Sequence, residues 1–329
     1  MNRRAFVQFA AAMLALPGCA LAAPFAFAQP RGKAFRAVYL SVSPRAAVNH
    51  LIDALERGLR DQGYIVGRDV AVDFRSADGD IGRYPAIVRE VVLSKPDVIV
   101  TGPNETTARV RDATQSIPIV MAIGTDVVGA GLVRSLAKPG GNITGLTWDV
   151  GAGVIAKRLE LLKEIAPSTA RVAVLWEPPY KDQYQKATDD AALLLGLSTL
   201  WVEFSGDLAR DFAEMLRWRA DALLVHPAGR QFQRRAELNA LAAKHGLPTS
   251  HAVSEFVETG GLMSYGPNLA AQFRAAARHI AKILKGAKPG DLPVEQPSKI
   301  DLVINLKTAG TLGLELPQSI LLRADRVIE

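Results

Sequence analysis

The chain has 329 residues, of which 49% are hydrophobic and 22% are charged, so it can bury a core and is not a disordered protein. At roughly 100–200 residues per domain, this length favours two domains. The net charge is +6, but the Lys and Arg residues are scattered, and only 6% of the residues are aromatic. A nucleic-acid partner is therefore not expected, because neither a basic tract nor a set of stacking platforms is present.

Residues 1–28 have the pattern of a secretory signal peptide. Two arginines near the start are their only charged residues, and an apolar stretch and recurring small residues follow. Residues 2–7 also resemble a twin-arginine export signal. Residues 16–19 resemble a bacterial lipobox, which Pro17 fits poorly, so Cys19 is either lipid-anchored or, as we expect, discarded with the signal. The pattern predicts a periplasmic protein.

From residue 36 onward, short apolar runs alternate with segments of helical periodicity. In the first half we predict strands at 36–40, 69–74, 96–100, 117–121 and 143–147. We predict helices between or after them at 49–62, 84–93, 106–115 and, as a short one, 129–136. Strands that alternate with helices in this way indicate βαβ units and a parallel sheet.

The same alternation restarts after a junction at residues 145–153. The predicted strands of this half are 171–176, 200–204, 222–225 and a short one from 247. The predicted helices are 154–165, 182–195, 208–217 and 234–245. Two similar α/β domains follow from these two sets. The tail, with a helix at 269–284, a strand at 301–304 and a short helix at 307–312, is too small for a third domain and must complete the others.

No motif for a cofactor, a metal or a catalytic group is found. Residues 140–145 are spaced like a phosphate-binding loop, but Leu146 stands where that loop requires lysine. The sequence has no G-x-S-x-G nucleophile elbow, and the five histidines form no metal-binding pair. We therefore expect no cofactor, no metal and no enzymatic activity.

Four segments resemble hallmarks of the periplasmic substrate-binding proteins of ABC transporters, in an uncharacterised family similar to tryptophan/tyrosine-uptake proteins. These hallmark segments are KPGGNITG at 138–145, GGLMSYG at 260–266, KGAKPGDLPVEQP at 285–297, and LVINLKTA to LLRAD at 302–325. The resemblance implies an α/β type I periplasmic-binding fold, in which two Rossmann-like lobes with parallel sheets are joined by a three-crossing hinge. The crossings are expected near 146–149, 264–267 and 293–298.

The resemblance also implies a domain division and a function. Lobe 1 would contain residues 34–147 and 267–294, and lobe 2 residues 148–265 and 296–329. The chain would be the solute-binding component of an ABC importer, a monomer that captures a small ligand, such as an amino acid or a related carboxylate, by hinge closure. Its partners would be that ligand and an inner-membrane permease and ATPase. The alternatives are a periplasmic sensor that signals to a membrane receptor, and a hydrolase that works in the cleft.

Ligands of open α/β sheets bind at the carboxyl ends of the strands, so the loops there supply the candidate residues. The predicted ligand-binding residues are Ser41, Ser43, Asn104, Glu105, Thr106, Asp126, Trp148, Glu177, Tyr180, His226, Glu255, Phe256 and Tyr265.

Most of these candidates fall into three chemical groups. The hydroxyl residues precede predicted helices, whose free N–H groups suit a ligand carboxylate, and plain helix capping is the alternative. Asp126, Glu177 and Glu255 are candidates to pair with an ammonium group. Trp148, Tyr180 and Phe256 are candidates to stack on an apolar or aromatic side chain, and packing at the hinge is the alternative for Trp148 and Tyr265.

Overall fold

A computed structural model describes residues 34–178 and 181–329. The predicted export signal, Cys19 and Tyr180 lie outside these residues. Within the described part of the chain, no helix is both long and apolar enough to cross a bilayer. Strands and helices alternate along the chain, and the strands form two sheets.

The first sheet contains five strands, flanked by helices on both faces. Its strands are β1 (Phe35–Ser41), β2 (Val70–Ser76), β3 (Val98–Thr101), β4 (Ile119–Gly124) and β5 (Ile143–Thr147). Its helices are α1 (Arg45–Asp61), α2 (Tyr84–Leu93), α3 (Asn104–Ala113) and α10 (Leu269–Leu284), which packs along α1. The strand order is β2-β1-β3-β4-β5, and every neighbouring pair is parallel. β3 and β4 are almost continuous apolar runs, as expected of parallel strands that are covered on both faces.

The second sheet contains seven strands in the order β12-β11-β10-β9-β8-β6-β7. They are β6 (Arg171–Trp176), β7 (Ser198–Glu203), β8 (Ala222–Val225), β9 (Thr249–His251), β10 (Met263–Gly266), β11 (Asp301–Asn305) and β12 (Arg326–Ile328). The helices of this half are α4 (Ala152–Ile165), α5 (Lys181–Leu194), α6 (Leu208–Arg217), α7 (Gly229–Gln233), α8 (Arg235–Lys244), α9 (Ser254–Glu258), α11 (Leu306–Thr311) and α12 (Gln318–Arg323). The pair β10–β11 is antiparallel and the other pairs are parallel.

The chain passes between the two sheets three times. It leaves the first sheet after β5 and enters the second half through α4, and it returns after β10 as α10. The third passage is held beside β5, because Glu295 N–H donates to Gly145 O at 2.9 Å and Thr147 N–H donates to Glu295 O at 2.8 Å. The predicted α/β class, with two sheets of mostly parallel strands and three passages of the chain between them, is therefore confirmed.

The first hallmark segment secures this third passage. The Gly140 N–H donates to the Gly290 carbonyl at 3.0 Å, and the Thr144 hydroxyl donates to the backbone of Leu292 at 2.7 Å. The amide of Asn142 donates to two backbone carbonyls that precede β4, each at 2.9 Å. The segment thus has a structural role, which ties the third hallmark segment to the edge of the first sheet.

Some predicted elements differ from the structure. The helix predicted at 129–136 is wrong, since these residues form turns and bends. Gly131 has a φ of +65°, and Asp126, just before this segment, has a φ of +43°, so the backbone here is not that of a right-handed helix. Helix α1 begins at Arg45, four residues earlier than predicted. The elements α7, α9, α12, β10 and β12 were not predicted, because runs of three to six residues are too short to show a periodicity.

The two sheets share part of their core. One buried apolar cluster runs from Tyr39 of β1 and Phe273 of α10 to Val225 of β8 and Phe256 of α9. Trp148, which follows β5 at the first passage, belongs to the same cluster. The residues that connect the sheets are therefore packed rather than extended through solvent.

Candidate functional site

The strand orders place a topological switch point in each sheet, between β1 and β3 in the first and between β6 and β8 in the second. Ligands of doubly wound sheets bind outside the carboxyl ends of strands at such points. Ser41 ends β1, residues 104–106 follow β3, Glu177 follows β6 and His226 follows β8. The structure therefore places these predicted residues at the carboxyl ends of strands beside the two switch points, where a ligand is expected.

The hydroxyl groups at the first switch point bond to their own loops. The Ser41 Oγ accepts the N–H of Ser43 at 3.0 Å, and the Thr106 Oγ1 donates to the Pro103 carbonyl at 2.8 Å. Neither serine caps α1, whose N-cap residue is Pro44 and which has no side-chain cap. The capping alternative for these two serines is therefore wrong, and their contact with a ligand stays a prediction.

Asn104, Asp126 and Trp148 connect the ends of β3, β4 and β5. The Asn104 side chain donates to the Thr125 carbonyl and accepts the Thr125 N–H at 2.9 Å. The Asp126 N–H donates to the carboxylate of Asp149 at 2.9 Å. The buried indole of Trp148 has no hydrogen-bond partner at Nε1 among the described residues. The hydrogen bonds of Asn104 and Asp126 thus hold together the segments that follow β3, β4 and β5, next to the first passage.

Glu177 is a buried carboxylate at the end of β6. Its Oε1 accepts the backbone N–H of Gln231, in α7, at 2.8 Å. Burial raises the pKa of Glu177 to about 7, against the lowering effects of the Gln231 hydrogen bond and the positive charge of Arg230. The negative charge of Glu105, on α3 of the first sheet, raises this pKa further. The charge of Glu105 thus reaches Glu177 from the opposite sheet.

His226 lies in an aromatic stack at the end of β8. Its ring is parallel to those of Tyr184, with centroids 4.4 Å apart, and Trp201, at 5.5 Å. The Nε2 atom lies 3.1 Å from the Thr188 hydroxyl, and Nδ1 has no partner among the described residues. Burial, with a contribution from the charge of Arg158, lowers the pKa of His226 well below its ordinary value. The site therefore contains a neutral imidazole with one unused nitrogen.

The three remaining candidates lie in different surroundings. Glu255, on α9, contacts His50 Nε2, on α1, at 3.1 Å, which is a direct contact between helices of opposite sheets. Phe256 is buried in the shared core, where it stacks on His251 at 4.6 Å. Tyr265 is half-buried and offers its backbone carbonyl to Arg158.

Arg158 and Gln231 were missed by the sequence reasoning. Both are fully buried, and neither the two Nη atoms of Arg158 nor the side-chain amide of Gln231 has a hydrogen-bond partner among the described residues. A signal for Arg158 was present, because it occupies the apolar stripe of α4 that Ile155 and Leu162 define. The sequence contains no comparable signal for Gln231, since this residue lies in a short segment without apolar periodicity.

The region around the carboxyl ends of β6 and β8 therefore contains several buried polar atoms that have no hydrogen-bond partner among residues 34–178 and 181–329. They are Trp176 Nε1, His226 Nδ1, the Gln231 amide and the Nη atoms of Arg158. Such atoms in folded proteins are nearly always satisfied, so a polar small molecule bound here would supply what the described residues do not. Within the same residues, no group of three or more His, Cys, Asp or Glu side chains is arranged to hold a metal ion.

Comparisons with known proteins agree with this geometry. The tyrosine-binding protein of Clostridioides difficile (strain R20291) is 27% identical over 268 residues, which cover 79% of this chain and 75% of that protein. The crystal structure of an ABC domain from Streptococcus pneumoniae in complex with L-Trp is 26% identical, with a TM-score of 0.81 over 90% of this chain and 100% of that one.

A leucine binding protein from Thermotoga maritima, 12% identical, has a TM-score of 0.57 over 85% of this chain and 87% of that one, and so shares the fold. The predicted type I periplasmic-binding fold is thereby confirmed. The sequence also matches the family described as ABC transporter substrate binding protein from residue 37 to residue 328. Because this match spans most of the chain, the protein belongs to the family of ABC transporter substrate binding proteins.

Proposed function

We propose that this chain is the extracytoplasmic solute-binding component of an ABC importer and that it captures one small ligand between its two sheets. The observation that carries the proposal is the set of buried polar atoms without protein partners at the ends of β6 and β8. Leaving such a group unsatisfied costs about 1–3 kcal/mol, so a ligand that satisfies several of them gains affinity. Family membership supports the same conclusion.

We propose an amino acid or a related carboxylate as the ligand class. The relatives described above include a tyrosine-binding protein and a structure that holds L-Trp. The carboxyl of Glu177 faces the negative charge of Glu105 from the opposite sheet, and an ammonium group between them would favour the ionised form of Glu177 and pair with both carboxylates. The half-buried ring of Trp176, at the end of β6, supplies aromatic surface on which an apolar side chain can pack.

Closure would couple the two lobes to the ligand. We propose that residues 34–147 with 267–294 move as one lobe, and residues 148–265 with 296–329 as the other. The three passages form the hinge. A ligand that contacts Glu105 and Glu177 together binds the closed state better than the open one, and only such a difference in affinity shifts the population.

The remaining features of the proposal concern export and partners. Substrate-binding proteins of ABC transporters act outside the cytoplasmic membrane, and residues 1–28 would direct export there, by the twin-arginine route. Cys19 would leave with the signal, so Cys19→Ser should not change membrane retention. The mature protein would act as a monomer without catalysis, and would deliver its ligand to a permease and an ATPase of the inner membrane.

Thermal unfolding in the presence of a ligand panel tests the proposal. The panel contains amino acids, peptides and aromatic acids, and small molecules that co-purify with the protein are identified in parallel by mass spectrometry. A ligand at 100 times its Kd should stabilise the folded state by about 2.7 kcal/mol, with a stoichiometry of one per chain. A protein that carries no small molecule and is stabilised by no member of the panel would contradict the proposal.

A further inference from the structure

Arg158 is a buried cation that has no anionic partner in the part of the chain that the structure describes. It lies in the second turn of α4, is 0% exposed, and uses only Nε, which donates to the Tyr265 carbonyl at 2.7 Å. Neither Nη atom has a hydrogen-bond partner among the described residues. Arginine remains protonated in proteins, so this side chain brings a full positive charge and four unused N–H groups into the interior.

The surroundings of Arg158 are neutral. Its neighbours include the imidazoles of His226 and His251. Burial lowers the pKa of both histidines, and the positive charge of Arg158 makes a smaller contribution in the same direction. The groups that favour its charged form are the phenols of Tyr184 and Tyr265. His226 follows β8 and His251 ends β9, so the guanidinium lies near the carboxyl ends of these two strands.

Burying an unpaired charge is costly, and buried arginines in folded proteins are almost always paired. The planar fork of the guanidinium matches a carboxylate, which it can bind through two parallel N–H···O bonds. We infer that Arg158 forms an anion subsite of the cleft and that it binds the carboxylate group of the ligand. This inference rests on the proposed function and narrows it, because a ligand without a carboxylate would leave the cation unpaired.

The subsite differs in place from the one that the sequence suggested. The hydroxyls and helix starts around Ser41 and Thr106 were candidates for the carboxylate, and those hydroxyls bond to their own loops. With the carboxylate at Arg158, the acidic pair Glu105 and Glu177 is left for the ammonium group. The carboxylate of an amino acid would then bind Arg158 of the second half, and its ammonium group would lie near Glu177 and, across the space between the sheets, near Glu105.

The first test compares acids with their amides on the wild-type protein. Isothermal titration is run with L-tyrosine and L-tryptophan, with their carboxamides, and with any carboxylic acid that the panel identifies. We expect each amide to bind at least 30-fold more weakly than its acid, because truncating a buried charged contact typically costs about 2 kcal/mol or more. Amides that bind within threefold of their acids would overturn the inference.

The second test replaces the arginine. Arg158→Gln should lose at least 30-fold in affinity for the acid, whereas Arg171→Gln, at the amino end of β6 where Arg171 pairs with Asp221, should bind like wild type. Ligand-free Arg158→Gln should unfold at a temperature no lower than wild type, since an unpaired buried charge is removed. Arg158→Lys keeps the charge without the fork, and it should bind with intermediate affinity.

The outcomes separate the inference from the proposed function. If the acid binds to Arg158→Gln within threefold of wild type, the subsite is wrong and the carrier function stands. If Arg158→Gln unfolds at a lower temperature while Arg158→Lys binds like wild type, the fork is not used and the inference fails as well. If no acid or amide binds to wild-type protein and none co-purifies with it, both the function and the subsite are contradicted.

Discussion

At the scale of single residues, the surroundings of Glu177 change the protonation of its carboxyl group. Its carboxyl is buried, it accepts one backbone N–H from Gln231, and the charge of Glu105 faces it from the other sheet. Burial dominates, so the pKa rises to about 7 although two neighbours oppose it. In the ligand-free protein Glu177 is therefore mostly protonated below about pH 7, and a bound cation would favour its ionised form.

The raised pKa of Glu177 predicts a pH-dependent stability. Between pH 4.5, the ordinary pKa of a glutamate, and about pH 7, the unfolded chain has released this proton while the folded protein retains it. The free energy of unfolding is therefore higher at low pH and falls as the pH rises through that window. The loss amounts to about 3 kcal/mol by the upper end of the window. Glutamine does not titrate in this range, so Glu177→Gln should not show this fall. The free energy of unfolding of the variant, relative to that of wild type, should therefore increase from pH 4.5 to 7.5.

Urea unfolding at a series of pH values measures this effect on ligand-free protein. Glu203→Gln, a replacement of an exposed glutamate at the end of the neighbouring strand β7, is the matched control and should follow the wild-type profile. A wild-type profile parallel to that of Glu177→Gln over the whole range would show that the carboxyl is not perturbed.

At the scale of elements, strand β5 joins the first sheet to the third passage. Gly145 in the middle of this strand has a φ of +132°, and a Cβ placed there would lie 2.0 Å from the Met121 carbonyl of β4. The Gly145 carbonyl also accepts the N–H of Glu295. Only glycine permits both the backbone conformation and the close approach at this position.

Gly145→Ala should therefore destabilise the protein by about 3 kcal/mol or more, through strain and overpacking together. Gly141→Ala, in the same hallmark segment, provides the control, because nothing lies within 4 Å of a Cβ at that position. Thermal unfolding compares the two variants. Equal unfolding temperatures would mean that β5 does not pass β4 as closely as the structure shows.

At the scale of the whole molecule, the two sheets touch through helices that flank the space between them. The contact of His50 with Glu255 joins α1 to α9 at 3.1 Å, and Glu105 influences Glu177 across the same space. A contact made only when the lobes are together stabilises the closed state selectively. The His50–Glu255 pair is therefore expected to act in closure rather than in direct ligand recognition.

Glu255→Gln should lower ligand affinity by about fivefold, since a partly exposed pair of this kind contributes about 1 kcal/mol to the closed state. Small-angle scattering of the variant should show a larger radius of gyration than that of wild type. Asp61→Asn, which breaks the Arg274–Asp61 pair between α1 and α10 of the same sheet, should change neither quantity. Equal effects of the two variants would argue against a role in closure.

Periodicity predicted most of this architecture because long elements carry a strong local signal. Helix α10 and strand β6 have the predicted bounds, 269–284 and 171–176. Short elements carry no such signal. The most important of those not predicted is α7, because its residue Gln231 supplies the N–H that donates to Glu177. The predicted helix at 129–136 fails for a similar reason, since apolar spacing does not report the positive φ of Gly131.

The site residues were harder to predict than the fold. Position after a strand brought out Glu177 and His226, because strand ends can be read from the sequence. The same rule also selected Phe256, which the fold buries in the shared core. Arg158 and His50 act from helices, and their roles depend on which groups the tertiary structure places opposite them. Such pairings are set by packing between segments far apart in the chain.

A crystal structure of the protein with its co-purified or titrated ligand tests the central claim most directly. The account predicts electron density for one small molecule between the two sheets, with its carboxylate on Arg158 and its cationic end near Glu177 and Glu105. Density for the ligand outside the space between the sheets, or inside it without a contact to either Arg158 or Glu177, would contradict the account.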